Sequence, residues 1–217
     1  MTEIRIAAES DPPAPQPLAH KLAGLFTRSA AMGLLTGPAI TRLDAASLGR
    51  LVRSLQRHGI ASTAGIALAP LLRDEPRPLD AAAARALEQR IDQVAEALEA
   101  SAAPAAEWPA MRKVFGDELL AELLEVSTSS LKRYATGERS TPASVVARLH
   151  WLAMLVADLA GAYNDFGIRR WFERPRAQLG GVSPRALLGR RWQVDGEPAR
   201  RVRALAGALS GALPLAV

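Results

Sequence analysis

Apolar residues recur along this chain at intervals of three and four positions, the period of an α-helix that buries one face. Three stretches show this interval clearly: Leu48, Leu51, Val52 and Leu55; Leu87, Ile91, Val94 and Leu98; and Val145, Leu149, Leu152, Val156 and Leu159. The alternation of β-branched and polar residues that indicates a half-buried strand is absent. The pattern therefore predicts an all-α protein.

Prolines, glycines and capping residues divide the first hundred residues. Four prolines between residues 10 and 17 predict a flexible, proline-rich arm over 1–17. The remainder, 18–100, is predicted to be a helical domain of unknown role. Its helices are expected at 18–35, ended by Gly37-Pro38; at 44–57, with Asp44 as N-cap and His58-Gly59 as the end; at 60–72; and at 80–100, with Asp80 as N-cap.

The apolar stripe of the helix over 80–100 has two interpretations. Its members, Leu87, Ile91, Val94 and Leu98, are spaced by four, three and four residues, as in a coiled-coil seam. The stripe covers fewer than two heptads, so packing on the helix's own domain is favoured over a dimer seam. A homodimer or higher oligomer is still expected, formed through this stripe or through the C-terminal helices.

The charge balance changes near residue 107. Residues 1–107 hold 11 basic and 12 acidic side chains, whereas residues 108–217 hold 16 and 10. The change coincides with Ser101 to Ala106, which is predicted to belong to a linker over 101–107. The basic surplus of the second half favours an anionic partner for it, with a solvated arginine-rich surface as the alternative.

Composition limits the function classes further. The absence of cysteine excludes disulfides, cysteine-ligated zinc and thiol catalysis. No uncharged apolar run approaches the roughly 18–20 residues of a membrane span, so we expect a cytoplasmic protein without a membrane partner. His20, His58 and His150 lie far apart and are expected to be surface or interface residues. Without metal-ligand or triad spacing, we expect no catalytic residues, no metal, no cofactor and no enzymatic activity.

Residues 108–142 contain the pattern of a helix-turn-helix. Leu120, Leu123 and Leu124 line one face of a short helix, and Val126 is the apolar residue of the turn. Ser127 is suited to N-cap a second helix, which Gly137 and Pro142 end. Leu131, with Tyr134 or Ala135, is expected to anchor that helix inward. Thr128, Ser129, Lys132 and Arg133 then face outward, without an acidic residue, as suits base edges and phosphates.

The segment after residue 143 is predicted to be a further helical domain, over 143–217. A long helix is expected over 144–166, and a shorter one is expected to end at Pro175. Gly180-Gly181 predicts a turn, after which Ser183 caps a short helix that begins at Pro184. A last helix over 198–209 is expected to bury Val202, Leu205 and Leu209.

Two resemblances carry specific expectations. The residues Leu120-Ala121, Leu124, Val126-Ser127, Leu131, Arg133-Tyr134, Gly137, Arg139 and Pro142 resemble the Xre/Cro type of repressor helix-turn-helix. Glu125 departs from that class, which usually has glycine at this turn position, and it brings an acid near the DNA face. The residues Trp171-Phe172, Pro175, Leu179, Gly181, Pro184 and Leu187-Leu188 resemble the toxin-binding domain of Xre/MbcA/ParS-type antitoxins.

The resemblance implies an antitoxin that binds and inhibits a RES-type toxin, which consumes NAD, and that represses its own operon. Its implied DNA-binding residues are Thr128, Ser129, Lys132, Arg133 and Arg139 on double-stranded operator DNA. The expected toxin-binding residues are Arg174, Arg176 and Arg185 with Leu213 and Val217 of the apolar tail, on a motif built by Trp171, Pro175, Gly181 and Pro184. Residues 1–107 lie outside the resemblance, which leaves a stand-alone transcriptional regulator with an N-terminal oligomerisation or sensing domain as the alternative.

Overall fold

Helices dominate the computed structural model of the protein, which describes residues 16–37, 40, 44–60, 68 and 81–210. Within these residues there are nine α-helices and no β-strand, so the all-α prediction is confirmed. An isolated antiparallel bridge joins Arg176 to Val182. The chain separates into two compact units between Ala102 and Ala103.

The N-terminal unit contains helices α1 (Gln16–Ala31), α2 (Ala45–Arg57) and α3 (Ala81–Ala100). Helices α1 and α3 pack against each other and are joined at their surface by Lys21 and Asp92, at 2.5 Å. Asp44 caps α2 as predicted: its carboxylate accepts a hydrogen bond from the amide of Ser47 at 2.8 Å, and the hydroxyl of Ser47 accepts one in return.

The ends of α1 differ from the prediction. The helix includes Gln16 and Pro17, which were assigned to the arm, because a proline is tolerated in the first helical turn. It ends at Ala31 rather than near Leu35 because Gly33 takes a left-handed conformation with φ 74°. The arm over 1–15 and the predicted cap Asp80 lie outside the described residues. The predicted helix over 60–72 also lies outside them, except for Ile60 and Leu68.

The stripe on α3 lies inside the N-terminal unit. Its four members are at most 2 % exposed, and α3 packs on α1. The structure agrees with the favoured interpretation, in which the stripe packs on the helix's own domain. A dimer seam along the same four side chains is therefore excluded unless the unit opens.

The C-terminal unit contains six helices. They are α4 (Pro104–Leu124), α5 (Thr128–Ala135), α6 (Ala143–Ala160), α7 (Asp165–Glu173), α8 (Pro184–Leu188) and α9 (Glu197–Ser210). Helix α6 lies at the centre and contacts α4, α7 and α9. It is long and apolar enough to cross a membrane, but 67 % of that stretch is buried inside the structure, as in the core helix of a soluble protein.

Three expectations for this unit are corrected. Residues 104–107, the last four of the predicted linker, form the first turn of α4, because Pro104 at the first helical position favours a helix start. The long helix over 144–166 is two helices, because Asn164 caps α7 by accepting a hydrogen bond from the amide of Gly167 at 2.8 Å. In α9 the buried residues are Ala199, Val202 and Ala206, whereas Leu205 and Leu209 are half-buried.

The burial of the α3 stripe predicts a stability effect. Replacing Ile91, which is 1 % exposed, by alanine should lower the free energy of unfolding of this unit by about 2–5 kcal/mol, because it leaves a cavity. Urea unfolding followed by circular dichroism measures this change. Gln89→Ala, on the exposed face of the same helix, is the control and should change it by less than about 0.5 kcal/mol. A change below 1 kcal/mol for Ile91→Ala would contradict the described packing of α3.

Candidate nucleic-acid interface

Helix α4 is interrupted at Gly116. The part of α4 that follows this residue forms a helix pair with α5. Gly116 has φ 74° and ψ 169°, outside the helical region, so α4 consists of two helical parts, 104–115 and 117–124. The second part and α5 are joined by the three residues 125–127. A residue with a β-carbon would be strained at the backbone angles of Gly116.

The two helices of this pair meet through their apolar residues. Leu120, Leu123 and Leu124 of α4 and Leu131 of α5 are at most 3 % exposed, and Ala121 is buried beside them. Tyr134, rather than its half-buried neighbour Ala135, is the second buried residue of α5, and its ring stacks on Trp108 at 6.2 Å. The core beneath α5 therefore fixes which face of this short helix points outward.

Polar caps define both ends of α5. The hydroxyl of Ser127 accepts a hydrogen bond from the amide of Ser130 at 3.1 Å, as expected of an N-cap. At the other end Gly137 has φ 76°, and the amide of Arg139 donates to the carbonyl of Arg133 at 3.1 Å. These contacts stop the helix after two turns and leave the amides of its first turn unpaired within the helix.

The outward face of α5 carries cations and hydroxyls. Thr128, Ser129, Lys132 and Arg133 are all exposed, and α5 contains no acidic residue. Arg139 is exposed beyond the end of the helix, with its guanidinium 5.6 Å from the centre of the Tyr134 ring. The structure thus brings four of the five predicted DNA-binding residues onto one short helix, with the fifth close to its C-terminal end.

The acid in the turn is held by other residues. Glu125 has φ 56°, in the left-handed region that favours glycine, the residue usual at this turn position in the Xre/Cro class. Its carboxylate lies 2.7 Å from the guanidinium of Arg148 on α6 and also accepts a hydrogen bond from the amide of Arg191. The negative charge that the sequence places near α5 is therefore paired with a cation.

The motif at 171–184 forms a small, turn-rich block. Trp171 is 1 % exposed and Pro184 is buried, whereas Pro175 is exposed. Gly180 and Gly181 both have positive φ, 77° and 79°, as the predicted turn requires. Ser183 caps α8 by accepting a hydrogen bond from the amide of Ala186 at 3.2 Å.

The three arginines predicted to contact a toxin occupy different environments. Arg174 is exposed. Arg176 is half-buried and lies with its guanidinium 5.4 Å from the centre of the Trp171 ring, and its Nε has no hydrogen-bond partner among the described residues. Arg185 pairs with Glu122 of α4 at 2.6 Å. Leu213 and Val217 lie outside the described residues.

Two polar residues inside this unit were not identified from the sequence. Glu107 is fully buried, and its carboxylate lies 2.6 Å from Nδ1 of His150, which was expected at a surface or an interface and is half-buried. Arg148 is also buried. The sequence held a signal for Arg148, because it falls on the apolar stripe of α6 between Val145 and Leu152. Among residues 16–37, 40, 44–60, 68 and 81–210, no group of three metal-ligating side chains occurs.

Comparisons with known proteins identify no relative of this chain. No protein-family model, no curated protein and no solved structure matches this chain. The resemblance to repressors and antitoxins therefore rests on the motif residues within 120–142 and 171–188 alone.

The acid at the start of the helix pair predicts a pH effect. The Arg112 guanidinium donates hydrogen bonds to both oxygens of Asp117, at 2.7 and 3.0 Å, and lowers the pKa of that carboxyl; Lys132 lowers it further. Because the folded pKa is lowered, the pair stabilises the unit above the ordinary pKa of the carboxyl. That stabilisation disappears as the pH falls through the lowered pKa.

Carbon-13 NMR of the Asp117 carboxyl measures this effect. The carboxyl should titrate at a lower pH in the wild-type chain than in Arg112→Gln. Arg201→Gln, which removes a cation on α9, is the matched control and should leave the titration unchanged. Equal titration of Asp117 with and without Arg112 would show that the two side chains are not paired in solution.

Proposed function

We propose that this protein binds double-stranded DNA through α5 and represses transcription. The observation that carries the proposal is the outward face of α5: two cations and two hydroxyls, without an acid, on a short helix that a buried core and two caps hold in place. A helix of this size fits the major groove of B-DNA, where arginine and lysine bind guanine and hydroxyls bind either base. Such a protein acts in the cytoplasm.

Phosphate contacts add the sequence-independent part of binding. Apart from the amide of Ser130, which Ser127 caps, the amides at the start of α5 have no acceptor inside the helix and suit a phosphate, since the helix dipole also favours negative charge there. Arg139 lies beyond the other end of the helix and suits a second phosphate. Repressor helix pairs of this kind bind as dimers on half-sites about one helical turn apart, so we propose a homodimer on DNA.

We further propose that the protein is an antitoxin whose second ligand is a RES-type toxin. The block at 171–184 supports this, because its compact core leaves Arg174 exposed for a partner. The stand-alone regulator is the other candidate. The N-terminal unit favours it, because the resemblance to antitoxins does not extend over residues 1–107.

The DNA proposal predicts the effect of two substitutions. Lys132→Ala and Arg133→Ala should each weaken binding of operator DNA by roughly 1–3 kcal/mol if they contact bases or phosphates. Fluorescence anisotropy with a labelled fragment of the protein's own promoter measures the affinity. Affinity should also fall steeply with salt, because phosphate contacts release counterions.

The control for these variants removes the same charge elsewhere. Arg200→Ala with Arg201→Ala takes two cations from exposed positions of α9 and should leave the affinity nearly unchanged. If the double variant of Lys132 and Arg133 binds as tightly as the wild-type chain, with its circular dichroism intact, α5 does not read the DNA.

The antitoxin proposal predicts two separable activities. Deleting residues 210–217 should change DNA affinity by less than about 1 kcal/mol, since none of the deleted residues belongs to the helix pair that is proposed to read DNA. The same deletion should abolish protection of cells that co-express a RES-type toxin from the same genome. Deletion of residues 2–9, which removes as many residues from the other end, is the control and should preserve both activities.

Two results would change this assignment. Full protection by the chain that lacks 210–217 would remove the tail as the inhibitory element. If the intact chain protects against no such toxin, the antitoxin proposal fails and the stand-alone regulator replaces it.

A further inference from the structure

The turn before α5 has a backbone conformation that normally requires glycine. Glu125 has φ 56° and ψ 43°, in the left-handed region that disfavours residues with a β-carbon. Glutamate is not among the residues that commonly adopt it. Contacts from outside the helix pair must therefore hold this residue in place.

Arg148 of α6 supplies those contacts. One terminal nitrogen of its guanidinium lies 2.7 Å from the Glu125 carboxylate and 3.4 Å from the carbonyl oxygen of Leu124. Nε and the other terminal nitrogen donate to the carbonyl of Trp192 at 3.0 and 2.6 Å. The Arg148 side chain is only 11 % exposed, so these bonds form away from most solvent competition.

Trp192 holds the same turn from a second direction. Its Nε1 donates to the carbonyl of Leu123 at 2.8 Å, and its ring packs against Trp151 of α6 at 4.9 Å. The carbonyls of Leu123 and Leu124 belong to the last turn of α4, where the helix itself offers no donor. Arg148 and Trp192 together therefore supply donors to this end of α4.

The loop that carries Trp192 is shaped for this contact. Gly189 and Arg191 both have positive φ, 61° and 60°, and the amide of Arg191 donates to the Glu125 carboxylate. Residues 189–192 follow α8, whose first residue, Pro184, is the last residue of the block at 171–184. The turn before α5 and the C-terminal block are thus joined through one buried guanidinium and one indole.

We propose that Arg148 is a positioning residue for DNA binding: with Trp192 it holds Glu125 in the left-handed turn and so sets how α5 is presented. This inference rests on the proposed DNA-binding function. It assigns no DNA contact to Arg148 itself, which acts through Glu125. The alternative role is packing alone, in which Arg148 stabilises the whole unit without a specific effect on the turn.

The test compares Arg148→Lys, Glu125→Gly and the double variant. Lysine keeps the charge but has a single nitrogen, which cannot reproduce the paired hydrogen bonds of the guanidinium. DNA affinity should fall by about tenfold in Arg148→Lys. Glu125→Gly alone should keep DNA affinity within about threefold of wild type, because glycine adopts the turn conformation without strain, but it should lower the stability of the unit, because the buried Arg148 charge loses its carboxylate. In the double variant, affinity should return to within about threefold of wild type.

Amide hydrogen exchange gives a readout that does not depend on DNA. The amide of Val126 donates to the carbonyl of Ala121, and that of Leu131 to the carbonyl of Ser127. Both should exchange faster in Arg148→Lys and return to the wild-type rate when Glu125→Gly is added. Trp192→Phe keeps a ring but removes the donor to Leu123. If Arg148 and Trp192 hold the turn together, this variant should also speed the exchange of the amides of Val126 and Leu131.

The outcomes separate this inference from the proposed function. A wild-type chain that binds no DNA overturns the proposed function. The exchange rates then still test whether Arg148 and Trp192 hold the turn at Glu125. If Arg148→Lys speeds exchange throughout α6 and the change persists in the double variant, Arg148 serves packing alone and the inference is wrong. Arg203→Lys, which alters another arginine paired with α6 through Asp158, is the control and should leave Val126 and Leu131 unchanged.

Discussion

The arrangement of the C-terminal unit depends on the pairing of the buried Arg148 guanidinium with the groups around it. A cation taken out of water costs several kcal/mol unless counter-charge and acceptors surround it. Here Glu125 supplies the charge, and the carbonyls of Leu124 and Trp192 supply acceptors. These partners come from the turn before α5 and from the loop after α8, so satisfying one side chain brings three distant parts of the sequence together.

The local features of the fold could be predicted because their causes are local. Asp44, Ser127 and Ser183 cap helices whose free amides lie within three residues of them. Gly137 takes the left-handed conformation that ends a helix. In each case a few neighbouring residues contain the whole physical argument, and the sequence can be read directly.

One local feature was missed: Asn164 caps α7 through the amide of Gly167, which competes with continuing the predicted helix over 144–166. The other missed features depend on contacts between residues far apart in the chain. The pairing of Glu107 with His150 joins residues 43 positions apart, and Arg148 reaches 44 positions to Trp192. Periodicity along the chain cannot indicate which distant partner a buried polar group finds, so these pairs were missed.

The same distinction applies to the candidate site. The outward residues of α5 could be named from the sequence because the inward anchors on so short a helix leave few alternatives. The environment of Arg185 could not, since it depends on Glu122, 63 positions away. The proposed DNA surface is therefore a property of one capped helix, whereas its orientation is a property of the entire C-terminal unit.

Selection from a pool of random-sequence duplexes measures whether α5 reads duplex DNA. The wild-type chain should enrich one short sequence motif, and a chain carrying Lys132→Gln and Arg133→Gln should not enrich it. Enrichment of the same motif by both chains, or of no motif by the wild-type chain at low salt, would show that α5 does not read DNA.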